Sequence, residues 1–497
     1  MDALHSLALG FQVASSPLNL FYCLIGVSLG TLIGILPGVG PLLTIAMLIP
    51  LTFGMPPESS VIMLAGIYYG ASYGGSTAAI LVNLPGEPSS VVTCIDGHQM
   101  ARQGRGGAAL AIAAIGSFVA GSIGTALIVL CAPILQQWVI NFSPADYASL
   151  IFMALIATAT LVQGSVLNGI GMALLGVLIG LVGMDPMTGS SRFTFGSLEL
   201  MDGIDFVVVA IGVFAIAEIV QTLDEKENRP GEVAATGSIW PSLADLKASW
   251  LPILRGTGIG ALFGILPGTG PTISSIAAYF FERRIARDPS RFGRGAIEGV
   301  AAAESANNAA AQTGFIPTMT MGIPGSATMA MLLGALMMNG VNPGPNMINQ
   351  RPELFWGLIA SMWIGNLMLL ILNLPLVGMW VKILSVPYRW LFPAILVFSA
   401  LGLYSLNLRA FDLYLMLGFG VGAYLLARLR CEPVPFIIGI ILGPMLEEHF
   451  RRAMVISHGD PGVFVTSWLS LLFLVLSVLI VLLMAPRKRL RAEAAAI

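Results

Sequence analysis

The chain has 497 residues, of which 56% are hydrophobic and only 10% charged, against about 25% charged in an ordinary soluble domain. That excludes a water-soluble fold, because too little polar surface is left to cover such a core. The formal net charge of −2 is unevenly spread, and no nucleic-acid partner is expected of it. Four cysteines (Cys23, Cys94, Cys131, Cys431) and four histidines (His5, His98, His449, His458) are scattered without metal-ligand or redox spacing, so neither a cofactor nor a bound metal is expected, other than a transported Na⁺.

A span needs about 20 apolar residues to cross the hydrocarbon core. Candidate runs cover 17–36, 61–84, 107–134, 147–183, 203–222, 299–338, 354–381, 389–427 and 463–485. Several are long enough for two passes, so about 11 to 13 spans are expected. No basic residue precedes the first run, and the first helix is therefore expected to be kept as a span.

The first run ends on Gly30-Thr-Leu-Ile-Gly-Ile-Leu-Pro-Gly-Val-Gly-Pro41, and residues 260–271 repeat it as Gly-Ala-Leu-Phe-Gly-Ile-Leu-Pro-Gly-Thr-Gly-Pro, identical at nine of twelve positions. Gly26, Gly30 and Gly34 match Gly256, Gly260 and Gly264 at the same offset of 230. Glycines four apart form a stripe on one helix face, which favours close helix packing. Each copy is followed by a second Pro-Gly break, at Leu84-Pro85-Gly86 and at Ile323-Pro324-Gly325. Paired breaks in the two halves of an apolar chain mark discontinuous helices and a transporter's binding site.

The apolar stretches after Pro41 and Pro271 reach only Phe53 and Phe281, too short to cross unaided, and they read as half-helices or re-entrant arms. Proline ends a helix, glycine permits positive φ, and the free N–H groups at a new helix start attract anions. The candidate substrate-binding residues of the first half are therefore Pro37, Gly38, Gly40, Thr44, Ser76, Asn83, Pro85 and Gly86. Those of the second are Pro267, Gly268, Thr269, Gly270, Thr272, Asn307, Asn308, Pro324, Gly325 and Ser326. The plainer account of the amides and hydroxyls is helix–helix hydrogen bonding. Ionisable residues in or beside spans include Asp185, Asp205, Glu218, Arg255, Glu298 and Glu304. Charges in membranes are costly and default to function, so Glu298 and Glu304, with Asn307 and Ser76, are the candidates for coupling to Na⁺ or H⁺.

Residues 1–223 form the first repeat half, 224–250 a polar linker with Trp240 and Trp250 at the membrane interface, and 251–350 the core of the second. Residues 351–497 hold C-terminal helices suited to scaffold or homo-oligomer contacts, followed by a basic tail. Arg487, Lys488, Arg489 and Arg491 make that tail cytoplasmic by the positive-inside rule, as do five arginines in the loop 282–294. The equivalent loop of the first half, 54–60, has no basic residue, whereas Arg102 and Arg105 follow its second break. Opposite charge bias in matching loops implies an inverted repeat. No phosphate-binding Gly-x-x-x-x-Gly-Lys-Ser/Thr loop and no His-Glu-x-x-His helix exist, and no paired base accompanies the serines near Gly75, so an enzyme is not expected.

Taken together, both Leu-Pro-Gly-x-Gly-Pro copies, Tyr68 to Ser76, Asn83-Leu84-Pro85-Gly86-Glu87, Asp96-Gly97, Ser290-Arg291-Phe292-Gly293, Glu298-Gly299-Val300-Ala301, Glu304-Ser305-Ala306-Asn307-Asn308-Ala309 and Gly322-Ile323-Pro324-Gly325-Ser326 resemble one family. It is the large membrane subunit of the bacterial tripartite tricarboxylate transporters. The resemblance implies a multi-pass secondary transporter in the inner membrane that imports carboxylates such as citrate on a Na⁺ or H⁺ gradient. It also implies a small membrane subunit and a periplasmic solute-binding protein as partners. The alternative reading of the same breaks is a passive anion channel. The expected fold is an all-α polytopic membrane protein with two inverted repeats and broken helices.

Overall fold

Apolar runs punctuated by Pro and Gly fold into helices almost throughout. The computed structural model describes residues 3–36, 40–52, 54–160, 165–224, 237–266, 269–379 and 388–484. Its main helices are α1 (Ala3–Ala14), α2 (Pro17–Gly34), α3 (Pro41–Leu48), α4 (Pro57–Val82), α5 (Gly106–Val139), α6 (Pro144–Thr160), α7 (Val166–Gly180) and α8 (206–224). The second half supplies α9 (Leu243–Ile265), α10 (Gly270–Ile285), α11 (Ile297–Thr313), α12 (Phe315–Met321) and α13 (Ala327–Met338). Then come α14 (Pro352–Asn373), α15 (Tyr388–Asn407), α16 (Ala410–Arg428), α17 (Val434–Ile456) and α18 (Trp468–Met484). Among the described residues the sheet content is one two-residue antiparallel pair, β1 (Gly183–Met184) with β2 (Ser191–Arg192).

This is an all-α membrane protein. Among the described residues, α2, α5, α14 and α16 are long and apolar enough to cross a bilayer, and further apolar helices are shorter. Outward faces carry bare aliphatic side chains: Leu167 is 76% exposed and Leu482 65%, as expected where lipid is the solvent. The run 147–183 resolves into α6 and α7, and 299–338 into α11, α12 and α13. Residues 225–236 of the expected linker, and the basic tail, lie outside the described residues. The end of that linker is already helical, since Ser242 caps α9 through the N–H of Asp245 and Trp250 sits within the helix.

The glycine stripes explain the packing. A Cβ on Gly26, Gly30 or Gly34 would meet the carbonyl oxygens of Met63, Ile67 and Ala71 at 2.3–2.4 Å. Only glycine therefore lets α2 lie backbone to backbone on α4, and the ascending order of contacts makes the two helices parallel. In the second half, Gly256, Gly260 and Gly264 meet Ala302, Ala306 and Ala310 of α11 in the same way, at 2.3–2.5 Å. The short arms follow as expected, α3 with eight residues and α10 with sixteen. Eight residues rise only about 12 Å and sixteen about 24 Å, less than the hydrocarbon core.

The central helices of the two halves meet head to tail. Phe315 packs on Tyr68 and Tyr69, while Glu304, earlier in its own half, reaches Ser76, later in the other. So α4 runs opposite to α11 and α12. Both are buried along nearly their whole length. The long α5 packs beside α11, and Asn366 of α14 accepts from Tyr73 and donates to the Phe118 carbonyl of α5.

Candidate functional site

Each half brings its two breaks together. The second break of the first half follows Asn83, which closes α4 in the left-handed region with φ 60°. Its counterpart Gly322 closes α12 with φ 72°. A Cβ on Gly86 would come within 2.7 Å of the Gly34 oxygen and 2.6 Å of the Gly75 Cα. A Cβ on Gly325 would lie 3.3 Å from the Gly264 oxygen. Gly40 faces the Gly86 carbonyl and the Glu87 side chain, as Gly270 faces Ser326 and the Gly325 carbonyl. In each half, then, the broken end of the first helix touches the later Pro-Gly turn. Pro37, Gly38, Pro267 and Gly268, the centres of the first breaks, lie outside the described residues.

The other sequence candidates fall into two groups. Thr44 returns its hydroxyl to the Gly40 carbonyl, and Thr269 closes the end of α9 on Phe263 and Leu266. Thr272 lies half-buried in the first turn of α10, Pro85 is half-buried, and Pro324 is buried beside Gly325. Ser326 caps α13, accepting from the Met329 N–H at 3.2 Å. Asn83 is solvent-exposed, and its left-handed backbone accounts for it.

The second group converges between the halves. Ser76 donates to Glu304 Oε2 at 2.6 Å, and Thr93 donates to the other oxygen. Asn307 donates to Glu87 Oε1 at 2.9 Å. Asn308 donates to Ser117 Oγ at 2.7 Å and to the Glu304 carbonyl. Glu304 is 1% exposed, Asn307 1% and Glu87 8%. Glu298 does not join them. It pairs with Arg291 at 3.0 Å near the start of α11. Arg255 is committed to Glu282 through two hydrogen bonds.

Glu87, Thr93 and Asp96 were not singled out as candidates. Their signal was position: Glu87 is a charge placed directly on a Pro-Gly break, where the second half has Ser326. Asp96 is fully buried. Its Oδ1 accepts the N–H groups of Gly293, Gly295 and Ala296, each at 2.8 Å, and Tyr279 donates to Oδ2. One carboxylate thus ties the first half to the loop that starts α11.

The family model described as "Tripartite tricarboxylate transporter TctA family" matches residues 20–438. The chain belongs to this family. An Agrobacterium vitis protein described as an uncharacterized 52.8 kDa protein in the TAR-I ttuC' 3' region is 54% identical over 467 residues, covering 94% of this chain and 93% of that protein. A second A. vitis protein, from the TAR-II ttuC' 3' region, is 56% identical over 208 residues, 42% of this chain and 86% of that protein. No solved structure matches the chain. As a TctA-family member it is a large subunit of a tripartite transport system.

Away from the breaks, a cavity of about 760 Å³ opens between β1, β2, α13 and α17. Asp185 there accepts from Thr188, the Met187 N–H and Arg451. These bonds, led by the Thr188 hydroxyl, hold its carboxyl well below the usual range.

Proposed function

We propose that this TctA-family chain is a secondary transporter carrying citrate-like carboxylates across the bacterial inner membrane on a Na⁺ or H⁺ gradient. In this reading a periplasmic binding protein delivers the substrate, and a small membrane subunit completes the complex. The observation that carries the reading is the break built twice, with each half joining its two breaks at Gly40–Gly86 and Gly270–Ser326. Residues 34–44, 83–90, 264–275 and 322–328 contain no Lys or Arg. The anion would be held by backbone N–H groups, half-helix dipoles and hydroxyls such as Ser326.

The opposed directions of α4 and α11–α12 support an inverted repeat, as does the opposite charge bias of the matching loops. With the arginine-rich loop 282–294 on the cytoplasmic side, the C-terminus would be cytoplasmic too. The helices after residue 351 would serve as scaffold or homo-oligomer contacts.

The test is uptake of labelled citrate into proteoliposomes holding the complex, with imposed Na⁺ and H⁺ gradients compared and dicarboxylates competing. Saturable, gradient-dependent uptake that needs the binding protein is expected. Gradient-independent flux without the binding protein would make the chain a passive anion channel.

A further inference from the structure

We propose that the two breaks divide the labour: the first half's break, where Asn307 links Glu87 to the neighbourhood of Glu304, seats the coupling cation, leaving the substrate anion to the second half's break. This rests on the transport reading above. The ligand class is a small hard monovalent cation, Na⁺ or a proton.

Equivalent positions of the two breaks differ in charge. Where the second half has Ser326, a neutral cap on the twelve-residue α13, the first half has Glu87. The Glu87 carboxylate stands directly on the break and already accepts from Asn307, so an anion built into the chain occupies the place a substrate carboxylate would need. A second anion there would meet like charge in a low-dielectric setting.

Glu87 and Glu304 are buried and within electrostatic reach of each other. Among the described residues, no Lys, Arg or His forms an ion pair with either. The titratable groups facing them are themselves acids or neutral: Tyr68 beside Glu87, and Tyr73 and Cys94 beside Glu304. Two buried carboxylates without a counter-charge are costly, and binding a cation removes the cost.

Asn307 Oδ1 is buried and has no hydrogen-bond partner, while Nδ2 of the same amide is fixed on Glu87. Asn307 lies one turn after Glu304 on α11. An orphan acceptor is thus held beside two carboxylates in a side chain 1% exposed. Buried acceptors are normally satisfied, and here a cation does it. Because Glu87 belongs to one half and Glu304 and Asn307 to the other, a bound cation favours the arrangement in which the halves are joined.

The experiment uses the complete complex and three variants, Glu87→Gln, Glu304→Gln and the control Glu298→Gln, each checked for a monodisperse peak in detergent. Cation binding is read as ²²Na⁺ binding and, separately, as proton uptake after a pH jump. Transport is read as citrate counterflow, which needs no cation gradient. Either cation signal is expected to fall at least tenfold in Glu87→Gln and Glu304→Gln and to stay unchanged in Glu298→Gln. Counterflow should survive while gradient-driven accumulation is lost. Loss of Na⁺ binding assigns the site to Na⁺, and loss of proton uptake alone assigns it to H⁺. Cation binding or accumulation unchanged in both Glu87→Gln and Glu304→Gln would overturn the proposal, and should one variant misfold, the other decides. Absence of counterflow in the wild type would instead defeat the transport reading itself.

Discussion

The two halves share a backbone plan and differ in what they place on it. In the first, glycines line both packed helices: Gly70 and Gly74 of α4 oppose the Val27 and Thr31 carbonyls of α2. In the second, the glycines of α9 oppose alanines of α11, which leaves α11 free to carry Glu304, Asn307 and Asn308 toward the other half. At the later break the first half presents Glu87 and the second Ser326. The two breaks share the geometry that opens the helices and differ in the side chains at the openings. The contrast teaches that backbone symmetry can sit beneath unlike chemistry.

The largest effect should come from the carboxylate that joins the halves. Asp96→Ala removes the acceptor of three backbone N–H groups and Tyr279. Of these donors Ala296 and Tyr279 are buried, and each buried donor left unpaired costs about 1–3 kcal/mol, so thermal unfolding in detergent should show a loss of about 2 kcal/mol or more. An unchanged melting profile would mean the halves are held together elsewhere.

Next come the stripes. Gly30→Ala and Gly260→Ala would each bring a Cβ to 2.3 Å from a helix carbonyl and should destabilise by about 1–3 kcal/mol each. Gly258→Ala meets nothing within 4 Å and should be neutral or slightly stabilising. If only one stripe variant were costly, the packing equivalence of the halves would break.

Smaller effects sharpen the contrast at the openings. Ser326→Ala should cost about 1 kcal/mol as a lost cap. Arg255→Ala should leave substrate affinity unchanged, because that side chain is committed to Glu282. Should Arg255→Ala alone abolish binding in folded protein, anion capture by backbone dipoles would be wrong.

A pH-dependent effect lies outside both breaks. Asp185 has a depressed carboxyl pKa, through Thr188 first and then Met187 and Arg451. Its contribution is therefore complete above the unfolded value near 3.9 and lost as pH falls toward the folded value. The stability gap between wild type and Asp185→Asn should stay constant from about pH 5 to 8 and shrink below about pH 4. A gap that widened on acidification would contradict the assignment.

Much of the fold was legible because it is written locally. Glycines four apart gave the packed faces, and Pro-Gly gave the ends of α4 and α12. The meeting of Ser76 with Glu304, or of Glu87 with Asn307, spans more than 200 residues and depends on how the halves dock, which no local pattern records. Two of the expected candidates stand apart from the buried cluster, and the sequence carried a sign of each. Glu298 and Glu304 are six residues apart, about 240° around a helix, so they could not share one face. Asn83 aligns with Gly322, a sign that this position serves left-handed backbone.

The most direct measurement is saturable counterflow of labelled citrate in proteoliposomes holding the complex, wild type beside Ser326→Ala. The account predicts saturation in both, with KM raised about fivefold in the variant, the equivalent of about 1 kcal/mol, and the melting profile lowered only by the lost cap. Flux that fails to saturate, or a KM unaltered by Ser326→Ala, would contradict the claim that the paired breaks form the transport site.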